Sequence, residues 1–338
     1  MARTVPVPVE LIEFITSGSK FIVAGHKEPD GDCVGSQLAL CSALRRLGKE
    51  ALPCSAGPFK RAEVMRYEGL FTAAPGEREK DGAKVIIVDC SAASRTGPLA
   101  PYLEGLPPAV IDHHAAGDFP ASSAESPVFL DVRAPSVTVM VLSLIEALGL
   151  ELLAEEAELL FFGLCTDTGF FRHLEAGRDE VFLAAAKMAA AGANPRRAFD
   201  SINGGKSLDS RILLGHILSR TESYCNGALL ISFETYDDHH RYGLVSRDSD
   251  SLYQLLQTVQ GMEAIVIIRE EEPGKCTVGL RSRDAIDVAG IAVSFGGGGH
   301  RNAAGFSIDG TVMDVKKVII NSFGNSFVNI QRNVILQI

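Results

Sequence analysis

His26, Asp30 and Asp32 fall within seven positions in the stretch GHKEPDGD, with Pro29 and Gly31 between them. Taken alone, the stretch reads equally as an acidic surface turn and as the start of a metal site. Three other places carry the same residue types. Asp89 closes VIIVD, Asp112, His113 and His114 close AVIDHH, and Asp167 lies in GLCTDTGFF. A single aspartate at a strand end is ordinarily a helix cap or a turn residue. Several at one edge of a sheet are another matter, because carboxylates brought together repel and need compensation. Divalent cations provide it. Hard oxygen donors mixed with imidazole suit Mn2+, Mg2+ or Fe2+ better than the thiolate-rich sites of structural zinc do. Six such ligands are too many for one open catalytic ion. They fit two ions sharing a bridging carboxylate, roughly 3.5–4 Å apart, a pair that clamps both oxygens of an in-line phosphoryl displacement.

The elements that must position these residues are legible. FIVAGH (21–26), KVIIVDC (84–90) and PAVIDHH (108–114) read as strands of continuous apolar character, which suits a parallel sheet covered on both faces. VGSQLALCSALRRLG (34–48) predicts a helix stopped by Gly48. SVTVMVLSLIEAL and AEEAELLFFGLCTDTG supply two more helices. This is the rhythm of an open α/β sheet, whose ligands collect at the carboxyl ends of the strands. The helix DEVFLAAAKMAAAG ends at Gly192, and a mostly helical connector is expected over 193–222. Closure of two domains over that connector is a further expectation. The rhythm then changes. GALLISFET, AIVIIREE and KCTVGLRSR read as strands, the last two joined by the turn EPG, and DVAGIAVSFGGGGH reads as a helix running into a glycine loop. The expected organisation is α/β throughout: residues 1–192 with a mainly parallel sheet flanked by helices, a connector, and a smaller α/β domain over 223–338.

Composition sets limits. The 338 residues are 46% hydrophobic and 22% charged, which is ample for a buried core, and the net charge of −10 disfavours a broad basic face for long duplex nucleic acid. Small anionic substrates remain open, since bound cations reverse a local field. Seven widely spaced cysteines without a C-x-x-C suggest reduced thiols and a cytoplasmic protein. Cys33, Cys90 and Cys165, near the acidic residues, are expected as small buried fillers. No apolar run approaches the roughly 18 residues that span a bilayer, and the first residues lack a signal-peptide pattern. YDDHHR (236–241) repeats a D-H-H string but reads as an exposed turn. Phe171 reads as packing, and Arg172 is open. The tail NSFGNSFVNIQRNVILQI has strand-like ends and no evident chemistry.

GHKEPDGDCVGS, VIIVDCS, VIDHH and CTDTGFF, in this order, resemble the motifs of the DHH phosphoesterase superfamily, and GLRSR and GGGGHRNAAGF resemble its DHH-associated C-terminal domain. The likeness runs over nearly the whole chain. It fits best the compact NrnA-like branch, bifunctional oligoribonucleases that also act as phosphatases on 3′-phosphoadenosine 5′-phosphate (pAp). It implies two Mn2+ ions, with Mg2+ or another divalent cation as substitutes. His26 and Asp30 would hold one ion and Asp32 the other, Asp89 would bridge them, and His113 and Asp167 would complete the second site. His114 would face the substrate as phosphate contact or proton donor, and Asp112 would orient a ligand from behind. Arg281 and Ser282 would grip a phosphate or terminal nucleotide. Gly297, Gly298 and Gly299 would bring backbone N–H groups close to an anion beside His300, with Arg283 and Arg301 as lesser contributors.

The implied reaction is hydrolysis by a water activated between two cations. The implied substrates are short single-stranded oligonucleotides of about two to five units, read at their ends in a cleft between domains, and pAp. A homodimer is expected by resemblance alone. Three other readings compete. A manganese pyrophosphatase shares the acidic-histidine layout, but no lysine- and arginine-rich second-domain motif is found. A linear or cyclic dinucleotide phosphodiesterase is compatible, since its linear dinucleotide substrate is itself a short oligonucleotide. A non-catalytic nucleotide-binding regulator is disfavoured by the intact ligand set.

Overall fold

The computed structural model describes residues 6–115, 122–243, 247–283 and 286–335, with backbone alone for residue 93 and for 324–335. The chain divides into two compact units, Met1–Gly205 and Lys206–Ile338. The two helices of the expected connector separate between them: Pro195–Asn203 packs through Ala198 into the first core, and Leu208–Ser219 packs through Leu213 and Ile217 into the second.

The first unit is a five-stranded parallel sheet of order β2-β1-β3-β4-β5. In chain order its elements are α1 (Val9–Ser17), β1 (Lys20–Ala24), α2 (Gly31–Arg46), β2 (Glu50–Cys54), α3 (Ala62–Met65), α4 (Glu77–Lys80), β3 (Lys84–Val88), α5 (Ala100–Leu103), β4 (Pro108–Asp112), β5 (Val128–Leu130), α6 (Val137–Ala147), α7 (Ala154–Asp167), α8 (Asp179–Ala190) and α9 (Pro195–Asn203). Strand alternation splits the apolar residues between two faces. Phe21, Val23, Ile86, Val88, Ala109 and Ile111 face a core made with α1, α2, α6, α7 and α8. Ile22, Ala24, Val85, Ile87 and Val110 face the other way, onto Leu99 and Leu103. Burial on both faces is why these strands read as unbroken apolar runs.

The seam between α2 and α7 fixes the working end of this sheet. A Cβ on Gly35 would lie 2.4 Å from the Leu159 carbonyl oxygen, and one on Gly163 would lie 2.9 Å from both Asp32 Cα and the Gly31 carbonyl oxygen. The two helices therefore touch backbone to backbone at the turn that carries Asp32. That approach brings Asp32, at the start of α2, toward Asp167, the last residue of α7.

The second unit is a six-stranded mixed sheet of order β10-β11-β9-β8-β7-β6, antiparallel except for β7 with β8. Its elements are α10 (Leu208–Ser219), β6 (Glu222–Tyr224), β7 (Leu229–Glu234), α11 (Tyr236–Tyr242), α12 (Ser249–Gln257), β8 (Ala264–Glu272), β9 (Lys275–Ser282), α13 (Val288–Ser294), β10 (Gly298–His300), β11 (Ala303–Asp309) and α14 (Val312–Ile335). Three expectations change here. YDDHHR is not an exposed turn: it forms α11, capped by Thr235, and Asp238 is buried against the Arg220 guanidinium. The tail is helical up to Ile335 rather than strand-like, as the end of α14, whose Val315, Ile319 and Phe323 are buried in the core. Its last three residues lie outside the described part. The glycine run is not only a loop, since Gly298–His300 pairs with β11.

Among the described residues no helix is long and apolar enough to cross a membrane. The α2–α7 seam yields a direct test. In an open helix, Gly163→Ala gains about 1 kcal/mol of helix propensity. Here Gly163→Val is expected to lower stability by about 1–3 kcal/mol through overpacking, read from the denaturant midpoint. A midpoint equal to that of the unaltered protein would show that the seam is loose.

Candidate metal centre

Asp30 ends the loop after β1 and caps α2, its Oδ1 accepting the amides of Asp32 and Cys33, both at 3.1 Å. Asp32 is fully buried, and both of its oxygens accept amides from the start of α6: Oδ2 from Val137 at 2.6 Å and Oδ1 from Thr138 at 2.8 Å. Asp89 follows β3 in the left-handed region, at φ 58°. A non-glycine residue there is strained, and such strain collects where a side chain must be aimed. Glu28 before the cluster (φ 56°), and Phe170 and Phe171 after Asp167 (φ 55° and 68°), are also left-handed, so the centre is bordered by forced turns.

The two sides of Asp89 meet different histidines. His26 Nε2 lies 3.4 Å from Asp89 Oδ2 and 3.8 Å from Asp30 Oδ1. His113 Nε2 lies 3.6 Å from Asp89 Oδ1 and 3.4 Å from Asp167 Oδ2. Each ring is oriented from behind. His26 Nδ1 donates to the Lys27 carbonyl at 2.8 Å, and His113 Nδ1 donates to the Ala134 carbonyl at 3.1 Å. A carbonyl only accepts, so Nδ1 carries a hydrogen and Nε2 is the nitrogen turned to the carboxylates, the atom a metal would take in place of a proton.

Asp32, His113 and Asp167 place ligand atoms within 4.8 Å of one another, as do Asp89, His113 and His114. The donor set therefore fits divalent cations: imidazole Nε2 atoms turned inward, hard carboxylate oxygens, and one carboxylate between two imidazoles. His26, Asp30 and Asp89 would hold one ion, and Asp32, Asp89, His113 and Asp167 the other.

His114 has a different setting. Its Nδ1 donates to Asp112 Oδ1 at 2.7 Å, and the same oxygen takes the amides of His113 and His114. That leaves Nε2 of this half-exposed ring turned outward. Asp112 is fully buried, and its Oδ2 has no hydrogen-bond partner.

The crowding of charge shifts the protonation of the cluster. Burial, together with the neighbouring Asp32 and Asp30, pushes the Asp167 carboxyl up to about 8. Burial and the Asp32 charge push Asp89 upward, and burial pushes Asp32 upward as well. Burial opposes a charge on His26, but its bonds to Asp30 and Asp89 outweigh that and hold its proton far more tightly than an ordinary histidine does. Asp30 goes the other way: burial raises it, yet the His26 partner brings it down to about 2. Without metal, protons stand where cations belong. Sequence reasoning passed over one cation here. Arg61 Nη1 lies 3.8 Å from Asp30 Oδ2, and its side chain is 57% exposed. Nothing local in GPFKR marks it.

The residues singled out in the second unit form a patch of their own. Sheet register sets Arg281 opposite Ala303 and Ala303 opposite His300, so the Arg281 and His300 side chains leave the same face with only an alanine between them. The adjoining row is Gly279, Gly305 and Gly298. The Arg281 guanidinium stacks 4.6 Å from the ring centre of Tyr253, a support the sequence did not disclose. Ser282 Oγ donates to the Ile286 carbonyl at 2.7 Å, and Arg283 donates to the Gln257 carbonyl. Within the glycine run the roles differ. A Cβ on Gly297 would lie 2.3 Å from the Gly305 oxygen, and one on Gly299, at φ 146°, would lie 2.5 Å from the Ala303 oxygen, whereas Gly298 faces open space. Close backbone approach demands glycine at two of the three.

Residues 20–164 match the DHH family, N-terminal domain, and residues 235–324 match the DHHA1 domain. The chain is 33% identical over 297 residues to the bifunctional oligoribonuclease and PAP phosphatase NrnA of Thermus thermophilus, covering 86% of this chain and 85% of that one. It is 27% identical to the Bacillus subtilis protein of the same name, over 88% of this chain and 92% of that one. Among solved structures, an exopolyphosphatase-related protein from Bacteroides fragilis shares the fold with a TM-score of 0.77 at 19% identity, covering 96% of this chain and 97% of that one.

The proton-filled state sets a pH dependence. A carboxyl raised in the folded protein contributes stability below its ordinary value of about 4, and loses it as pH rises toward its folded value. For Asp167 that window ends at about 8. The metal-free protein is therefore expected to lose stability as pH rises from about 4 to about 8, and the gain in Tm on adding Mn2+ should grow over the same range. A gain that shrinks as pH rises would contradict this electrostatic picture.

Proposed function

The chain belongs to the DHH family of phosphoesterases with a DHHA1 domain, and from that premise we propose that it is a two-metal hydrolase of short oligonucleotides and of 3′-phosphoadenosine 5′-phosphate. One observation carries the two-metal reading. The opposite oxygens of Asp89 face different imidazoles, His26 at 3.4 Å and His113 at 3.6 Å, as a bridging carboxylate requires. The substrate class rests on the likeness to the two NrnA proteins and on the Arg281–His300 patch.

Two divalent cations, for which Mn2+ suits the donors well, would supply Lewis acidity that lowers the pKa of a water and neutralises charge on the phosphoryl oxygens. The remaining work falls to the protein. The Lys27 and Ala134 carbonyls hold two imidazoles in the ligating tautomer. The α6 amides hold Asp32 rigid, so little reorganisation is needed during reaction. Asp112 holds the Nδ1–H of His114, and the doubly protonated ring would contact the phosphate through Nε2–H and pass that proton to the leaving oxygen. Arg281, preset by Tyr253, takes phosphate oxygens with its planar fork, and His300 adds a donor on the same face. End recognition by such fixed groups explains how a chain of net charge −10 handles nucleic acid without a basic track.

The test is one assay panel with Mn2+: a linear dinucleotide, a longer single strand, the 3′,5′-bisphosphate and pyrophosphate. Turnover of the dinucleotide and the bisphosphate is expected, with the longer strand slower. Asp89→Asn should remove both activities together, since both ions lose a ligand. Hydrolysis of pyrophosphate alone would overturn the substrate reading, and an active Asp89→Asn protein would overturn the bridging role.

A further inference from the structure

Six of the seven cysteines are buried. Cys41 and Cys165 pack in the apolar core on one face of the first sheet, Cys54 and Cys90 in the core on the other, and Cys276 in the core of the second unit. Cys33 belongs to none of these clusters, although it is fully buried. It is the third residue of α2, directly after Asp32. Its sulfur, a His26 ring nitrogen and an Asp89 carboxylate oxygen all lie within 4.8 Å of one another. Donor atoms around one ion, each bonded at roughly 2.0–2.3 Å, sit about this far apart or closer.

The surroundings are built to place the sulfur there. Gly25 leaves the room, since a Cβ at that position would lie 2.1 Å from it. Gln37 sits on the other side. Its Nε2 donates to the Val23 and Cys54 carbonyls at 2.9 and 3.0 Å, which fixes the amide and turns Oε1 to the thiol at 3.5 Å. The thiol hydrogen points to Gln37, and the sulfur lone pairs are left for the His26 and Asp89 side.

We propose that Cys33 is a ligand of the ion held by His26, so that the two metal sites differ in kind. The His26 site offers nitrogen, oxygen and sulfur, and the His113 site nitrogen and oxygen only. This rests on the two-ion reading and adds to it. On binding, the S–H bond breaks, the proton leaves to solvent and a sulfur–metal bond forms, with no change of oxidation state. A soft donor shifts the first site toward Fe2+, Co2+ or Zn2+ relative to Mn2+ and Mg2+, while the second keeps the hard-ion preference. The enzyme would then work with a mixed pair of ions.

The test loads the full-length protein with cobalt(II). A sulfur-to-cobalt charge-transfer band in the near ultraviolet and a sulfur scatterer in the cobalt X-ray absorption spectrum are expected. Both should vanish in Cys33→Ser and persist in Cys90→Ala. In Cys33→Ser the preference for Zn2+ over Mn2+ should fall on the order of tenfold, the scale on which metal sites respond to loss of supporting groups. Cobalt bound without a sulfur neighbour would overturn this inference and leave the metal centre standing. Failure to bind cobalt at all would overturn both. Should Cys33→Ser not fold, the absorption spectrum of the unaltered protein decides by itself.

Discussion

Asp30, Asp32, Asp89, Asp112 and Asp167 converge at the carboxyl end of one parallel sheet, and Asp32, Asp89 and Asp112 are buried. Burying a carboxylate costs several kcal/mol unless something compensates it, and burying neighbours together costs more. Much of the first unit can be understood as the means of paying that cost. Amides at the start of α6 take both oxygens of Asp32, amides of α2 take Asp30, and the amides after β4 take Asp112. Asp112 Oδ2 is left without a partner, and on Asp89 and Asp167 the charge is shed by holding protons. A site that keeps protons only for want of something better is a site prepared for cations.

The same constraint accounts for features with no chemistry of their own. Gly35 and Gly163 let α2 and α7 meet backbone to backbone, because Asp32 and Asp167 lie at the start and end of those helices. Asp89 takes a left-handed conformation because a continued strand would send its side chain to one face instead of into the gap between His26 and His113. Histidines backed by carbonyls complete the arrangement. In the second unit the electrostatics are reversed. There a guanidinium stacked on Tyr253 and an exposed histidine share a sheet face floored by glycine and alanine, which suits an anion with a flat group beside it.

Much of this was legible in the amino-acid order. The apolar runs at 21–26, 84–90 and 108–114 announce buried parallel strands because side-chain direction alternates residue by residue, and the acidic and histidine residues stand at the ends of those runs. The motifs suffice for the family, since residues within one turn or strand end are fixed relative to one another by local geometry. Local geometry also misleads. YDDHHR has the composition of a turn, but Thr235 caps it into a helix and Arg220 buries Asp238. The tail has β-branched ends, but it continues α14, whose Val315, Ile319 and Phe323 fall at helical spacing against a core that the sequence does not show.

Residue types, their order and the sheet edge they occupy are therefore properties of the sequence by itself, because strand periodicity and short turns are local. Which atom meets which was decided only by tertiary packing. Asp32 is held by amides 105 and 106 residues away, and Arg281 finds its support in Tyr253 on α12. Cys33 reads in the sequence as one more small filler. Only the closeness of Gly25, and a Gln37 amide pinned by two carbonyls, put its sulfur beside His26 and Asp89 rather than in the core. Contacts of that range depend on how whole helices seat against the sheet, and no local pattern encodes them.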